Sequence, residues 1–132
     1  MPDIPINDER KIRIQKMREL REAGINPYPS NVFREHSIAQ ALEKKADAKV
    51  KIEGRLMTKR DMGKLTFCNL LDESGKIQIA LKKDEMDESQ YSLFIKKIDI
   101  GDIIAVEGVR FLTHKGEESV LVKNWVLASK AL

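Results

Sequence analysis

Hydrophobic positions along this chain follow two different periods. Over residues 8–23 apolar side chains recur at the spacing of an α-helix, with basic residues gathered on the opposite side. A shorter helix is predicted over residues 37–45, where Ser37 can cap the first turn while Gln40 reaches back to it. We therefore predict an N-terminal helical extension, residues 1–46, packed on the domain that follows.

Beyond this extension apolar and polar residues alternate, which is the pattern of strands with one buried face. After a first strand, residues 62–81 read as a hairpin, and residues 103–112 and 119–127 read as two long strands. Between the hairpin and these strands, residues 84–98 carry acids first, lysines last and apolar residues at helical spacing. That arrangement predicts a helix, because its charges complement the helix dipole.

Three strands, a helix and two more strands make up the element order of the OB-fold, a five-stranded Greek-key barrel. The predicted fold class is therefore mainly β, with a barrel over residues 47–132, a helix between strands 3 and 4, and N-terminal helices before it. In such barrels strands 2 and 3, with the loops after strands 1 and 4, bind oligonucleotides or oligosaccharides. The hairpin is the predicted binding surface.

The predicted hairpin, MGKLTFCNLLDESGKIQIAL, has two unlike faces if Glu73 and Ser74 form the tip of its turn. One face then carries no charge and is expected to point into the barrel. Its members are Thr66, Cys68, Leu70, Ile77, Ile79 and Leu81. A bulge at Gly75 would shift this register by one residue. We prefer the unbulged register because it alone produces a charge-free face.

On the opposite face an aromatic ring lies beside a carboxamide. Gln78 is predicted directly across from Asn69 and about 7 Å from Phe67 along the diagonal. A ring can stack on an unpaired base, and an amide can donate to and accept from the base edge. Arg60 and Glu117, in the loops after strands 1 and 4, add a planar cation and an acceptor. Each of these side chains could alternatively be ordinary protein surface, but together they favour single-stranded nucleic acid.

Composition narrows the possible functions further. The 132 residues carry a net charge of +3, from 24 basic and 21 acidic residues. No apolar run approaches the roughly 20 residues of a membrane span, and the N-terminus lacks a signal-peptide core, so a cytoplasmic location without membrane contact is predicted. Residues 9–21 and 43–64 are locally basic, although such runs are also typical of solvated surface. The single cysteine, Cys68, excludes a disulfide framework.

Four segments resemble the N-terminal anticodon-binding domain of class II lysyl-tRNA synthetases. They are REAGINPYPSNVF, GRLMTKRDMGKLTFCNLLDESGKIQ, FIKKIDIGDIIAVEG and THKGEESV. The resemblance implies that Phe67 stacks on the middle anticodon base and that Glu117 contacts the neighbouring bases. It implies that Gln78 and Arg60 identify the middle base as uracil. A Phe and a Gln at this spacing would also suit the related aspartyl and asparaginyl enzymes, whose anticodons share a middle U.

The resemblance also implies contacts between basic side chains and the tRNA backbone. The candidates are Arg10, Lys11, Arg18, Arg21, Lys59 and Lys64. In that family the chain continues into a catalytic domain that binds ATP, magnesium and lysine, and none of that domain's motifs is present here. We therefore expect this chain to bind the lysine anticodon stem-loop without charging tRNA, and to hold no cofactor or metal. A homodimer is expected for a full-length parent and a monomer for the isolated domain.

Other functions fit the pattern less well. A metal-dependent nuclease needs converging carboxylates, and the densest acidic group, Asp84, Asp87 and Glu88, falls where a helix dipole alone favours acids. A general single-strand binder usually shows several aromatic side chains on its binding face, whereas Phe67 alone is predicted there. A protein-interaction domain would not bind RNA at all.

Trp125 is expected to tie the N-terminal helices to the barrel.

Overall fold

Five strands form a closed barrel in the computed structural model, which describes residues 34–131 together with Ile12, Gln15 and Lys16. The strands are β1 (Lys49–Asp61), β2 (Leu65–Asp72), β3 (Gly75–Lys82), β4 (Ile103–Leu112) and β5 (Glu118–Ser129). Around the barrel they follow the order β1-β2-β3-β5-β4, and β4 pairs back with β1. All neighbouring strands are antiparallel except β3 and β5, which run parallel. The predicted OB-fold barrel is confirmed.

The first described helix, α1 (Ile38–Leu42), begins where the sequence predicts it. The Gln40 backbone N–H donates to Ser37 Oγ at 3.1 Å, and the Ser37 N–H donates to Gln40 Oε1 at 2.9 Å. The predicted capping box is therefore present. Ile38 and Ala41 are fully buried, so this helix adds its apolar side to the barrel core.

The second helix, α2 (Glu88–Lys97), lies between β3 and β4 but starts later than predicted. Residues Lys83–Glu85 instead form a short 3-10 helix. The boundary is set by Asp87, whose carboxylate accepts the N–H groups of Ser89 at 2.7 Å and Gln90 at 3.3 Å and so caps α2. No helix in the described part of the chain is long and apolar enough to cross a membrane.

The hairpin of β2 and β3 has the predicted register. Asn69 lies opposite Gln78, and Asp72 lies opposite Gly75, so the turn contains two residues and no bulge shifts the pairing. The charge-free face points into the barrel, where its six side chains are at most 2% exposed. Hydrophobic patterning was sufficient to define this register, because a slip of one residue would exchange the two faces.

Strand β1 is longer than predicted and is interrupted by a β-bulge at Met57. Leu56 pairs with Leu70, but the next pair joins Thr58 to Asn69. The Asn69 N–H donates to Thr58 Oγ1 at 3.1 Å, which supplies a partner at the irregular step. An extra residue in one strand exchanges inward and outward positions beyond it. The bulge therefore decides which way the second half of β1 points its side chains.

Trp125 lies in the core beneath α2. Its ring meets the Phe94 ring edge to face at a centroid distance of 5.4 Å and an interplanar angle of 78°. Its Nε1–H donates to the Gln90 carbonyl at 3.0 Å. Sequence reasoning expects this side chain to attach the N-terminal helices, and these two contacts are both with α2; most of the predicted helix over residues 8–23 lies outside the described residues. A tryptophan in a β-strand pattern predicts a buried core position, but the pattern does not show which helix packs against it.

A buried ion-pair cluster joins the end of β5 to the turn before β4. Lys130 donates to the carboxylates of Asp102 and Asp99, and Asp99 also pairs with Lys16 at 2.9 Å. The Asp102 carboxylate accepts two further backbone N–H groups, from Asp99 at 2.7 Å and Ala131 at 2.9 Å. Burial alone would raise the pKa of Asp99, but the hydrogen bonds from Lys16 and Lys130 outweigh it and hold that pKa below its ordinary value.

Candidate nucleic-acid interface

Two rows of paired residues cross the outer side of β1, β2, β3 and β5, and we call them the outer rows. The first row is Thr58, Asn69, Gln78 and Ser119. The second row is Arg60, Phe67, Ala80 and Leu121. Directly paired residues project from the same face of a sheet, so each row presents its side chains together. All four residues of the predicted site are in these rows or in the loop beside them.

Arg60 and Phe67 lie directly opposite each other in the second row. The sequence places Arg60 in the loop after the first strand, but the structure places it within β1, and the bulge at Met57 turns it to the outer side. Opposite residues of this kind have Cβ atoms about 4.5–5.5 Å apart. Phe67 is half-buried and Arg60 is exposed, so the ring is held by the sheet while the guanidinium remains available. Together they offer a stacking surface and a donor for one planar base.

Gln78 is held by a neighbour that the sequence did not identify. Its Nε2–H donates to Ser119 Oγ at 3.0 Å, and the Ser119 hydroxyl donates onward to the Glu117 carbonyl at 3.2 Å. Since that hydroxyl has one hydrogen and gives it to Glu117, it must accept from the amide nitrogen. This network assigns the orientation of the amide and leaves Oε1 as its outward acceptor.

Glu117 lies in the β4–β5 loop, two residues before Ser119. The loop is closed by two hydrogen bonds between the same residues: Thr113 N–H to the Glu117 carbonyl at 3.0 Å, and Glu117 N–H to Thr113 Oγ1 at 2.9 Å. The Glu117 side chain is exposed. The structure thus links the loop residue Glu117 to the strand residue Gln78 through Ser119.

A model for the family described as the OB-fold nucleic acid binding domain matches residues 50–128. That span includes the whole barrel apart from the first residue and the last residue of its strands. The chain belongs to this family of OB-fold nucleic acid binding domains.

Relatives of this nucleic acid binding domain are lysine–tRNA ligases. The chain is 45% identical over 130 residues to the lysine–tRNA ligase of Campylobacter hominis, which aligns 91% of this chain with 26% of the relative. It is 40% identical over 139 residues to the lysine–tRNA ligase of Staphylococcus aureus, where the alignment covers 96% of this chain and 28% of the relative. The chain spans about a quarter of the length of the curated relatives it matches. These matches confirm the resemblance to lysyl-tRNA synthetases.

Lys59 is not available as the predicted tRNA-backbone contact. The bulge turns it inward, where Nζ donates to the carbonyls of Phe94 at 3.3 Å, Ile95 at 2.8 Å and Ile98 at 2.7 Å. These carbonyls belong to the end of α2, where a cation also complements the helix dipole. Burial lowers the pKa of Lys59. With all three ammonium hydrogens used, Lys59 anchors the helix of this nucleic acid binding domain and is withdrawn from the candidate contacts.

Lys64 keeps its predicted place in the β1–β2 loop and is exposed. The loop is anchored from below, since Tyr91 Oη donates to the Gly63 carbonyl at 2.8 Å and the Lys83 N–H donates to the Lys64 carbonyl at 2.9 Å. The other proposed backbone contacts, Arg10, Lys11, Arg18 and Arg21, lie outside the described residues. From the same predicted helix, Lys16 forms its ion pair with Asp99.

Two residues on the outer side were missed by sequence reasoning. Ser119 appears in the sequence as one more small polar residue beside a turn, and only the parallel pairing of β3 with β5 brings it to Gln78. Phe111 pairs with Ser119 across β5 and β4 and is half-buried, so a second aromatic residue extends the first outer row. The sequence predicts Phe67 as the one aromatic residue on this surface, whereas the structure adds Phe111.

Two other features of the nucleic acid binding domain have structural roles. The Asp87 carboxylate is occupied as the cap of α2, and burial raises the pKa of the Cys68 thiol to about 12. Among the described residues no group of three or more His, Cys, Asp or Glu side chains is arranged to hold a metal ion. Nothing at the acidic group before α2 therefore supports the nuclease alternative.

Proposed function

We propose that this chain binds the anticodon loop of lysine tRNA and reads its middle uracil. One observation carries the proposal: Phe67 and Arg60 lie opposite each other, and Gln78 lies in the adjacent outer row with its amide held by Ser119. In this proposal a stacking ring, a donor and an acceptor surround the space that one flat base would occupy. The family match and the lysine–tRNA ligase relatives support tRNA as the partner.

Each side chain has a distinct part in this proposal. The Phe67 ring stacks on the base, which contributes about 1–3 kcal/mol whatever the base is. Identity comes from the polar groups, because uracil presents a ring N–H between two carbonyl oxygens, which suits one acceptor and one donor. Gln78 supplies the acceptor and Arg60 the donor. Glu117, at the rim, contacts a neighbouring base.

In the proposed assembly this chain is the tRNA-recognition part of a lysine–tRNA ligase. ATP, magnesium and lysine would be bound by a catalytic part, so this chain alone is proposed to bind tRNA without charging it. Phosphate contacts from Lys64 and from the basic N-terminal residues would supply much of the affinity. Binding should therefore weaken steeply as salt is raised.

The proposal is tested by fluorescence anisotropy with a labelled stem-loop carrying the anticodon UUU, at fixed moderate salt. Replacing the middle U by C, or Phe67 by Ala, should each weaken binding by about 1–3 kcal/mol. Ile100→Ala is the matched control, since it removes an apolar side chain that is 55% exposed in the turn before β4. Its affinity should equal that of the unmodified chain.

Two results would refute this assignment. Equal binding of the U and C loops with an intact effect of Phe67→Ala would identify a general single-strand binder. No binding of either loop would identify the outer rows as a surface for another kind of partner. A stem-loop with the aspartate anticodon, which shares the middle U, would show whether the flanking bases are also read.

A further inference from the structure

The hydrogen bond from Gln78 to Ser119 decides which atom of the amide faces a ligand. Ser119 is fully buried and its hydroxyl is committed to the Glu117 carbonyl, so it can only accept from Gln78. Within residues 34–131 no donor engages Gln78 Oε1. A free carboxamide could turn by 180° and offer either its donor or its acceptor. Here the buried serine removes that freedom.

We propose that Ser119 is a specificity-determining positioning residue: it presents Gln78 as an acceptor and so selects a base with a ring N–H. This inference rests on the proposed function and extends it to a residue outside the predicted site. Uracil has an N–H at N3, whereas cytosine has a lone pair there, which would face Oε1. Turning the amide to suit cytosine would sacrifice the hydrogen bond to Ser119.

The surroundings of Ser119 make it a stable reference point. Its backbone carbonyl accepts from Arg110, whose guanidinium also pairs with Glu118 and donates from Nε to the Ala41 carbonyl at 2.9 Å. Arg110 is only 2% exposed. A buried guanidinium with several fixed acceptors is a rigid group, since each hydrogen bond constrains its plane. Ser119 is therefore held on its backbone side as well as through its hydroxyl.

Ser119→Ala tests this inference by the ratio of affinities for the UUU and UCU stem-loops. The unmodified chain is expected to prefer the U loop by about 5-fold to 150-fold, which corresponds to the 1–3 kcal/mol given above. In the variant the amide can turn, so the preference should fall by about 5-fold, the equivalent of one neutral hydrogen bond. Most of the change should be a gain in binding of the C loop. Ser129→Ala, the same replacement at the exposed end of β5, should leave the ratio unchanged.

Repeating Ser119→Ala in a Gln78→Glu variant tests whether Ser119 acts by orienting the Gln78 amide or only by supporting the local structure. Gln78→Glu presents only acceptors whichever way it turns, so adding Ser119→Ala to it should not alter the ratio, although both loops bind more weakly. Equal loss of affinity for both loops in Ser119→Ala, or an unchanged ratio in a chain that does prefer U, would overturn the inference and leave the proposed function standing. Absence of any preference for U in the unmodified chain would instead refute the proposed function itself.

Discussion

Replacing Lys130 by Met should strongly destabilise the barrel. The Lys130 side chain is fully buried and donates to the Asp102 carboxylate, which is also fully buried. Removing one partner of such a pair leaves an uncompensated charge, which costs about 3–5 kcal/mol. Asp102 would keep the N–H groups of Asp99 and Ala131, so the lower end of this range, about 3 kcal/mol, is expected. At about 4 °C per kcal/mol for a domain of this size, the melting temperature should fall by about 12 °C.

The assay is urea unfolding followed by the fluorescence of Trp125, the one tryptophan in the chain and a buried core residue. Lys123→Met, on the strand β5 that ends one residue before Lys130, is the control. Its partly exposed ammonium lies 3.8 Å from Glu85, and the replacement should change the unfolding free energy by less than about 0.5 kcal/mol. Combining Lys130→Met with Asp102→Asn should recover part of the loss. A loss below about 1 kcal/mol for the single variant, or a double variant no more stable than it, would refute the buried-charge reasoning.

Two further predictions concern packing and pH. Gly108→Ala should destabilise the domain by more than about 3 kcal/mol, since its new Cβ would lie 2.0 Å from the Leu121 carbonyl oxygen. Gly75→Ala should be near neutral, because its Cβ would lie 3.8 Å from the nearest atom, Ile38 Cγ2. Similar melting temperatures for the two variants would contradict this prediction. The pKa of Asp99 is lowered by folding, so its contribution to stability is present at neutral pH and is lost as pH falls below about 4. The difference in unfolding free energy between the unmodified chain and Asp99→Asn should therefore shrink between pH 6 and pH 2.5, and a constant difference would show that Asp99 contributes through another route.

The hairpin register and the order of the elements could be predicted because both follow from the position of apolar residues. In β2 and β3 one register gives an inner face without charge, and burial of a charge is costly enough to reject the alternative. The same logic located α1, where a local capping pair marks the start of the helix. Predictions of this kind depend on neighbours in sequence, or on one face of one hairpin.

The direction of Lys59 and Arg60 could not be predicted in this way. A strand without a bulge would turn Arg60 inward beyond Leu56, and nothing in the local sequence announces the extra residue at Met57. The pairing of Gln78 with Ser119 was also hidden, because these residues are 41 positions apart and meet only when the barrel closes. Patterning identifies faces well, whereas contacts across distant strands depend on the completed fold.

The parallel junction of β3 and β5 makes ligand recognition a sensitive indicator of tertiary assembly. Strands β1 to β3 form one unit from neighbouring segments of the chain, and β4 with β5 forms another. The polar contacts of the candidate site span both units, because Gln78 belongs to the first and Ser119 to the second. Partial separation at this junction would leave both local units hydrogen-bonded while dismantling the recognition surface. Because the proposed RNA contacts span this junction, bound RNA should oppose the separation of β3 from β5.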